Sequence, residues 1–418
     1  MNKLNKKLNM TGWMQGDAVI WMVFCLLCAV SVVEVYSASS SMSYGSDTHY
    51  WEPMLKHGFF WLIGFCLFWF MGRIPCNKFK YVSVFGLLFA LVLQCIALFS
   101  GQINGAGRWI YIAGFTFQPS EVTKVALVAF VSFVFSQMRD ERGVSKGGLK
   151  FAFFGVFLAL CLIVTENLST AVLIGAVMYL MAFVAQVRGK YLVGAFAAVV
   201  VAIGLVLTFA YSVPDSTLQE MAMSKGSILH RVPTWVHRIT DKHEIPADPM
   251  DYDLTDNIQV THARIAVATS YVTGKGPGKS RQRDYLPQAY SDFIYAIIIE
   301  EWGIEGALFV MSLYMILMWR CKVIASRCKS LFPSYLVMGL AIMIVLQALV
   351  NMAVAVGAVP VTGQTLPLVS RGGSSIIFNC MAMGMILSVS RTAKKIDTPD
   401  ATSSPAPAAP ADVTVQPA

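Results

Sequence analysis

Long apolar runs separated by short polar segments make up most of this chain. A run of about 20 apolar residues is the length that an α-helix needs to cross the hydrocarbon of a bilayer. The runs predict ten membrane-spanning helices, with a large loop between spans seven and eight. Their approximate bounds are 18–36, 57–71, 81–100, 119–137, 151–165, 168–186, 191–212, 292–319, 335–355 and 374–389. The pattern therefore predicts an all-α integral membrane protein.

Lysine and arginine recur in every second short polar segment, as in the pair Lys78 and Lys80. Such clusters mark the cytoplasmic side of a membrane protein, so both termini are expected in the cytoplasm. The N-terminus lacks the layout of a cleaved signal peptide, and the first run is expected to be a retained helix. The predicted divisions are a cytoplasmic segment at 1–16, a membrane domain at 17–392 with a large periplasmic loop at 213–291, and a disordered Pro/Ala-rich cytoplasmic tail at 393–418.

The composition supports a membrane protein and excludes several other classes. Hydrophobic residues make up 56% and charged residues 13% of the chain, and the net charge is +8. The positive-inside pattern accounts for that charge, so no nucleic-acid partner is needed to explain it. The nine cysteines fall in apolar runs or inner turns, which argues against both a disulfide framework and a cysteine metal site.

Three carboxylates surround the start of span eight. Asp292 lies where a polar loop becomes apolar, and Glu300 and Glu301 follow about two helical turns deeper. A carboxylate in a bilayer costs at least about 2.5 kcal/mol at the centre, so these residues are candidates for function. Position alone leaves two interpretations of Asp292 open, a functional carboxylate or a helix N-cap.

Two further groups of charged residues precede and open span four. Glu121 and Lys124 are spaced i, i+3 and share a helix face, either as supporting residues of a site or as an ion pair that joins two helices. Arg108 lies in the preceding outer loop beside Trp109, where it is a candidate phosphate ligand or an interfacial anchor.

The outer loop before span eight is rich in glycine and basic residues. Residues 274–280 suggest a phosphate-binding P-loop, but Thr273 stands where that motif needs its first glycine. A flexible basic loop is the better interpretation, and Lys275, Lys279 and Arg281 are its candidate pyrophosphate ligands. The histidines lack a metal-binding spacing.

The segment 356–373 is rich in glycine and proline, and it is predicted to re-enter the membrane region from outside. Irregular backbone at membrane depth survives only where it is buried in protein or lines a cavity, so this segment favours a substrate groove. Arg371 and Ser374 are its candidate substrate ligands.

Several short motifs together resemble the SEDS family of peptidoglycan polymerases. They are VYSASS at 35–40, GAGRWI at 105–110, QPSE at 118–121 with Lys124, YLP at 285–287, SDFI at 291–294, EEWG at 300–303, PVTG at 360–363, LP at 366–367 and GGSS at 372–375. The resemblance covers nearly the whole membrane region. The ending at 388–391 and the Pro/Ala tail favour the division branch of the family over the elongation branch.

The resemblance implies a ten-span glycosyltransferase that polymerises lipid II on the outer face of the cytoplasmic membrane. It implies a class B penicillin-binding transpeptidase as a partner, together with other membrane proteins of the division machinery. It places the catalytic role on Asp292 and the paired acid and base on Glu121 and Lys124. The chain departs from the family pattern before span eight, where 288–291 carry no histidine that could assist Asp292, and at the turn 166–167, where the family has Pro-Asp.

The transfer inverts an α-linked pyrophosphate to a β-linked glycan, so it needs a base and a stabilised leaving group. Asp292 is the expected base. The expected partners of the pyrophosphate are a divalent cation, Mg²⁺ or Mn²⁺, or the basic residues Arg108, Lys275, Lys279, Arg281 and Arg371. The alternatives are a lipid II transporter, which the lack of a clear inverted repeat disfavours, a non-catalytic scaffold, and an elongation-type polymerase.

Overall fold

The computed structural model describes residues 15–39, 52–99, 109–112, 115–141, 143–165, 167–212, 258–286 and 290–394. Within them the helices are α1 (Ala18–Ser39), α2 (Glu52–Arg73), α3 (Lys78–Phe99), α4 (Pro119–Gln137), α5 (Lys146–Val164), α6 (Leu168–Val184), α7 (Gly189–Ser212), α8 (Ile258–Ala268), α9 (Ile294–Ser326), α10 (Leu331–Ala355) and α11 (Gly373–Lys394). A short 3-10 turn spans Gln282–Asp284. Several predicted parts lie outside the described residues. They are residues 1–14 of the predicted N-terminal segment, the predicted tail beyond 394, Glu166, and residues 213–257 and 287–289 of the predicted outer loop.

The apolar helices coincide with the predicted spans. Eight of the described helices, α1 to α5 and α9 to α11, are long and apolar enough to cross a membrane. Two shorter apolar helices, Leu168–Val184 and Gly189–Leu205, occupy the positions of predicted spans six and seven. The chain is therefore mainly helical and suited to cross a membrane several times, and the count of ten spans stays a prediction.

Two small hairpins add strand structure that the sequence analysis did not predict. Strands β1 (Ile110–Ile112) and β2 (Phe115–Phe117) pair antiparallel, with Tyr111 opposite Thr116. Strands β3 (Arg139–Asp140) and β4 (Gly143–Val144) pair at the other end of α4. Three-residue strands are too short to give a clear alternating pattern, although the β-branched and aromatic residues of β1 and β2 suit a strand.

Helices α4, α10 and α11 form the centre of the bundle. In their most apolar stretches 83%, 72% and 78% of the residues are buried within the protein, against 22% for α2. A helix that is covered on all sides can carry polar residues facing its neighbours without exposing them to lipid. The polar groups of the centre are described below.

Helices α2 and α11 pack closely because small residues lie at their contact. A Cβ added at Gly384 would lie 2.6 Å from the carbonyl oxygen of Phe68, and one at Gly64 would lie 2.8 Å from Cys380 Sγ. Glycines at such positions allow two membrane helices to approach closely.

A buried ion pair ties together three helices at the end of the bundle opposite the site. Arg320 of α9 donates to Asp17 Oδ2 through Nε at 3.0 Å and Nη2 at 2.5 Å, and the Asp17 main-chain N–H donates to Ser390 Oγ at 3.0 Å. Arg320 can be buried because its charge is matched by a carboxylate 303 residues away in sequence.

Helix α9 is not the straight span that the sequence predicted. Gly303 has φ 68° and ψ −164°, which interrupts the helix. The Tyr295 hydroxyl donates to Ala307 O at 3.1 Å. Twelve residues of straight helix would separate these positions by about 18 Å, which is farther than a tyrosine side chain reaches, so α9 bends sharply between them. The bend follows Glu300 and Glu301, so their predicted position about two helical turns beyond Asp292 stays a prediction.

Candidate active site

The irregular segment between α10 and α11 is packed against the start of α9. Arg371 N–H donates to Tyr290 O at 2.9 Å, and the Ser370 hydroxyl donates to Ser291 O at 2.6 Å. Leu366, Leu368, Val369 and Ser370 are all buried. The second half of the segment is thus enclosed by protein, whereas residues 358–360 are exposed, and its predicted re-entry into the membrane region stays a prediction.

A polar cleft of about 150 Å³ opens between this segment, β2 and α4. Its walls carry hydroxyl, amide, carboxylate and guanidinium groups, which can bind a sugar or a phosphate. Its lining residues are Trp109, Thr116, Gln118, Glu121, Ser291, Gly363, Gln364, Thr365, Arg371, Gly372, Gly373, Ser374 and Ser375.

Asp292 lies at the edge of this cleft. A Cβ added at the lining residue Gly363 would lie 3.7 Å from Asp292 Oδ2. The Ser291 hydroxyl donates to Asp292 Oδ1 at 2.9 Å. The N-cap of α9 is Phe293, with no side-chain capping bond. The N-cap interpretation of Asp292 is therefore wrong, and the carboxylate is half-buried beside the cleft.

Arg371 provides a cation to the cleft, which it lines together with Ser291. Its guanidinium carbon lies 5.1 Å from the centre of the Tyr290 ring. Burial lowers the pKa of Arg371 from its ordinary value, while Tyr290 acts in the opposite direction. A guanidinium stays protonated despite such a shift, so the cleft keeps a positive charge able to bind two oxygens of a phosphate.

The cleft also contains the first residues of α11. The helix begins at Gly373, and Gly372, Gly373, Ser374 and Ser375 all line the cleft. The first turn of a helix presents main-chain N–H groups and the positive end of the helix dipole. Anions bind readily at such a position, which here coincides with Arg371.

The predicted pair Glu121 and Lys124 is formed and buried beneath the cleft. Lys124 Nζ lies 2.8 Å from Glu121 Oε1 and 2.7 Å from Gln347 Oε1 of α10. Gln347 in turn donates from Nε2 to Thr365 O at 3.0 Å. Glu121 lines the cleft and Lys124 lies behind it. Through Gln347 the pair connects α4 to α10 and to the segment that contains Thr365.

A second polar residue of α10 lies one turn after Gln347. Asn351 Nδ2 donates to Asp292 O at 2.8 Å and to Gln364 O at 2.7 Å. Gln364 also donates from Nε2 to Thr170 Oγ1 of α6 at 2.7 Å. The sequence analysis did not select Gln347 or Asn351, although two amides spaced i, i+4 in an apolar run were a usable signal.

Glu300 lies in a separate cluster formed with the loop that precedes α9. Lys275 Nζ lies 2.5 Å from Glu300 Oε1 and 2.8 Å from Thr269 Oγ1, while Arg281 N–H donates to Glu300 Oε1 at 3.1 Å. The Ser280 hydroxyl donates to Glu300 Oε2. The carboxylate is fully buried because loop donors surround it.

Glu301 holds the same loop from the adjacent position. Gly278 N–H donates to Glu301 Oε2 at 2.8 Å, and the Ser37 hydroxyl of α1 donates to Oε1. Main-chain bonds add to this, from Gly276 N–H to Glu301 O at 2.8 Å. The expected flexible loop is therefore fixed to α9 across residues 275–282.

Two glycines allow the loop and the bend of α9 to touch through their backbones. A Cβ at Gly303 would lie 2.0 Å from Val272 O, and one at Gly274 would lie 2.3 Å from Glu301 O. Both residues also have positive φ, 68° and 72°, which favours glycine. The bend frees the carbonyls of Glu300 and Glu301 for the loop N–H groups.

The predicted site residues thus fall into two groups. Asp292, Arg371, Ser374 and Glu121 meet at the cleft, with Lys124 behind it. Lys275, Glu300 and Glu301 belong to the loop cluster. Lys279 and Arg281 are exposed on the same loop. Arg108 lies outside the described residues, next to the cleft residue Trp109.

Among the described residues, no group of three or more His, Cys, Asp or Glu side chains is arranged to hold a metal ion. A cation bound mainly through substrate phosphates needs only one or two protein carboxylates. Asp292 and Glu121 are carboxylates at the cleft and would meet that need.

A larger groove of about 490 Å³ lies on α3 and differs in character from the cleft. Its walls are hydrocarbon and a thiol, which suit lipid chains and carry no acid, base or cation. Its lining residues are Leu88, Leu91, Val92, Cys95, Ile96 and Phe99.

The fold and the cleft define a multi-pass helical membrane protein with a polar site at one end of its central helices. The family model of FtsW, RodA and SpoVE, described as cell cycle protein, matches residues 17–395. The chain belongs to this family.

A relative agrees with that assignment, and solved structures share the fold. A protein of Geobacter sulfurreducens named a probable peptidoglycan glycosyltransferase FtsW is 30% identical over 396 residues, which are 94% of this chain and 99% of the relative. One similar chain comes from a solved structure described as the structural coordination of polymerization and crosslinking by a peptidoglycan synthase complex. Its TM-score is 0.71 at 20% sequence identity, and the match covers 91% of this chain and 99% of that chain. The rod shape determining protein RodA of Thermus thermophilus has a TM-score of 0.61 at 21% identity, over 91% and 98%.

Proposed function

We propose that this protein is a peptidoglycan glycosyltransferase that polymerises lipid II into glycan strands during cell division. The family assignment and the names of its relatives support the activity and the division role. The observation that carries the proposal is the polar cleft lined by Arg371 and the start of α11, with the Asp292 carboxylate at its edge beside Gly363. This arrangement pairs a proton acceptor with a site for an anionic leaving group.

In the proposed reaction Asp292 acts as the general base. Its carboxylate takes the proton of the acceptor sugar hydroxyl, and the hydroxyl oxygen forms a bond to the anomeric carbon of the donor. The bond from that carbon to the pyrophosphate breaks on the opposite face, which inverts the configuration. The Ser291 hydroxyl donates to Asp292 Oδ1, and Oδ2 lies near Gly363 at the cleft edge.

The departing lipid pyrophosphate carries negative charge, and the cleft supplies positive charge for it. Arg371 offers two N–H donors, and the first turn of α11 offers main-chain N–H groups and the hydroxyl of Ser374. Arg108 and the loop residues Lys275, Lys279 and Arg281 are proposed to add positive charge for the pyrophosphate, Lys275 in addition to its pairing with Glu300. Where Mg²⁺ or Mn²⁺ takes part, Asp292 and Glu121 would hold it and it would neutralise the pyrophosphate further.

The proposed setting is the cytoplasmic membrane, with both termini in the cytoplasm and the cleft facing out. The buried Asp17 and Arg320 then lie at the inner end of the bundle, opposite the cleft. A class B penicillin-binding transpeptidase and other division proteins are the proposed partners. The likeness in fold to a chain from a peptidoglycan synthase complex supports a transpeptidase partner.

The test is to incubate the purified full-length protein and its transpeptidase partner with labelled lipid II. We expect glycan chains of many lengths that are lost in Asp292→Asn. Movement of lipid II across vesicles without glycan chains would indicate a transporter instead. Neither product would indicate a scaffold.

A further inference from the structure

Three successive main-chain carbonyls at the start of α9 are each bound by other parts of the bundle. Those of Tyr290 and Ser291 accept bonds from the segment before α11, as described above. The carbonyl of Asp292 accepts from Asn351 Nδ2 at 2.8 Å, and Asn351 belongs to α10. The main chain that carries the carboxylate is therefore fixed from two sides.

Asn351 uses both hydrogens of its amide for this purpose. The second bond goes to the main-chain oxygen of Gln364 at 2.7 Å, and Gln364 itself lines the cleft. The Asn351 side chain is buried, with 1% exposure of the residue. One planar group thus sets the spacing between the proposed base and the opposite cleft wall.

The local backbone needs such a bond. Ala296 N–H donates to the carbonyl of Phe293 at 2.9 Å, and not to that of Asp292 in the regular helical pattern. The carbonyl of Asp292 lies outside the regular helical ladder, and a partly buried carbonyl is satisfied by a donor from another part of the chain. Asn351 supplies it from a helix that is itself mostly buried, which makes the support rigid.

We infer that Asn351 is a positioning residue that holds Asp292 at a fixed distance from the 364–372 wall of the cleft. The inference rests on the proposed function, since it gives Asn351 a role through Asp292. Asn351 itself does not line the cleft and is not required to touch substrate. Its loss should therefore change the rate of the chemical step more than the binding of lipid II.

The test compares Asn351→Ala and Asn351→Asp with Leu340→Ala in the full-length protein. Leu340 is fully buried on the same helix and three turns away, so its truncation controls for lost packing. A misplacement of about 1 Å can cost about 100-fold in rate, so both Asn351 variants should lose kcat by roughly that factor with KM changed less than about threefold. Leu340→Ala should lose stability and keep kcat.

Hydrogen exchange in the same samples measures the position directly. Both Asn351 variants should exchange faster at peptides covering 290–294 and 364–370, and Leu340→Ala should not. Unchanged exchange there, or wild-type kcat in both Asn351 variants, overturns the inference. Asp292→Asn is measured in the same series. If Asp292→Asn is active, the proposed function of Asp292 as the base is wrong, whatever the hydrogen exchange of the Asn351 variants shows.

Discussion

Lys124 of α4 and Gln347 of α10 are joined by a 2.7 Å bond from Nζ to Oε1. The same ammonium group holds Glu121 at 2.8 Å, so one buried cation connects the cleft wall to the helix that also carries Asn351. A charge in the core of a membrane protein is stable only when its partners are close and fixed. This relationship makes the pair a support of the cleft.

Breaking this pair should destabilise the protein more than removing it. Lys124→Met leaves the Glu121 carboxylate buried without its cation, and we expect a loss of about 3–5 kcal/mol. Glu121→Gln combined with Lys124→Met should regain most of that loss. Thermal unfolding in detergent, followed by the loss of monomer on gel filtration, ranks the stabilities of the wild type, the single variant and the double variant. Equal melting temperatures for the single and double variants would contradict the buried pair.

The bend of α9 should depend on Gly303. Gly303→Ala forces a positive φ and a contact 2.0 Å from Val272 O, so a loss of about 2 kcal/mol or more is expected. Gly175→Ala is the matched control, since a Cβ there meets nothing within 4 Å. That control should be neutral or stabilise α6 by up to about 1 kcal/mol. Thermal unfolding compares the two, and an equally stable Gly303→Ala would contradict the described bend.

Lys275 has two assigned roles that a double-mutant cycle separates. The structure pairs it with Glu300 at 2.5 Å, and the proposed function also gives it the pyrophosphate. If the pair dominates, Lys275→Met and Glu300→Gln should each lower the melting temperature and their effects should not add. We expect this coupling. A rise in KM for Lys275→Met without a change in stability would assign it to the substrate instead.

Arg371 should not be replaceable by lysine. A planar guanidinium binds two phosphate oxygens at once and stacks on Tyr290, which an ammonium group cannot do. Arg371→Lys should lower kcat/KM for lipid II by about 10-fold or more, in line with the loss of a charge-assisted hydrogen bond. Arg188→Lys, at the opposite end of the bundle beside Asp140, is the control and should keep full activity. Equal activity of Arg371→Lys and wild type would remove Arg371 from the site.

The sequence was sufficient for features that depend on local pattern. Apolar runs located the helices, and the i, i+3 spacing of Glu121 and Lys124 located their ion pair. It was not sufficient where distant segments meet. Nothing near Arg320 indicates that its carboxylate partner is Asp17, and the motif around Gly303 does not show that α9 turns back on itself.

The same limit applies to the candidate site. The change from polar loop to apolar helix located Asp292, and the glycine-rich segment located Arg371 and Ser374. The ion pair between Lys275 and Glu300 could not be predicted, because the two residues are 25 positions apart and meet only when the loop folds against α9.

The most direct test of the account is the activity of Asp292→Asn in the purified full-length protein with its transpeptidase partner and labelled lipid II. The asparagine keeps the shape of the side chain and loses the basic oxygen, so lipid II binding should remain and glycan chains should disappear. Asp284→Asn, an exposed carboxylate paired with Arg283 outside the cleft, is the control and should polymerise normally. Wild-type glycan yield from Asp292→Asn would contradict the central claim that this carboxylate is the base.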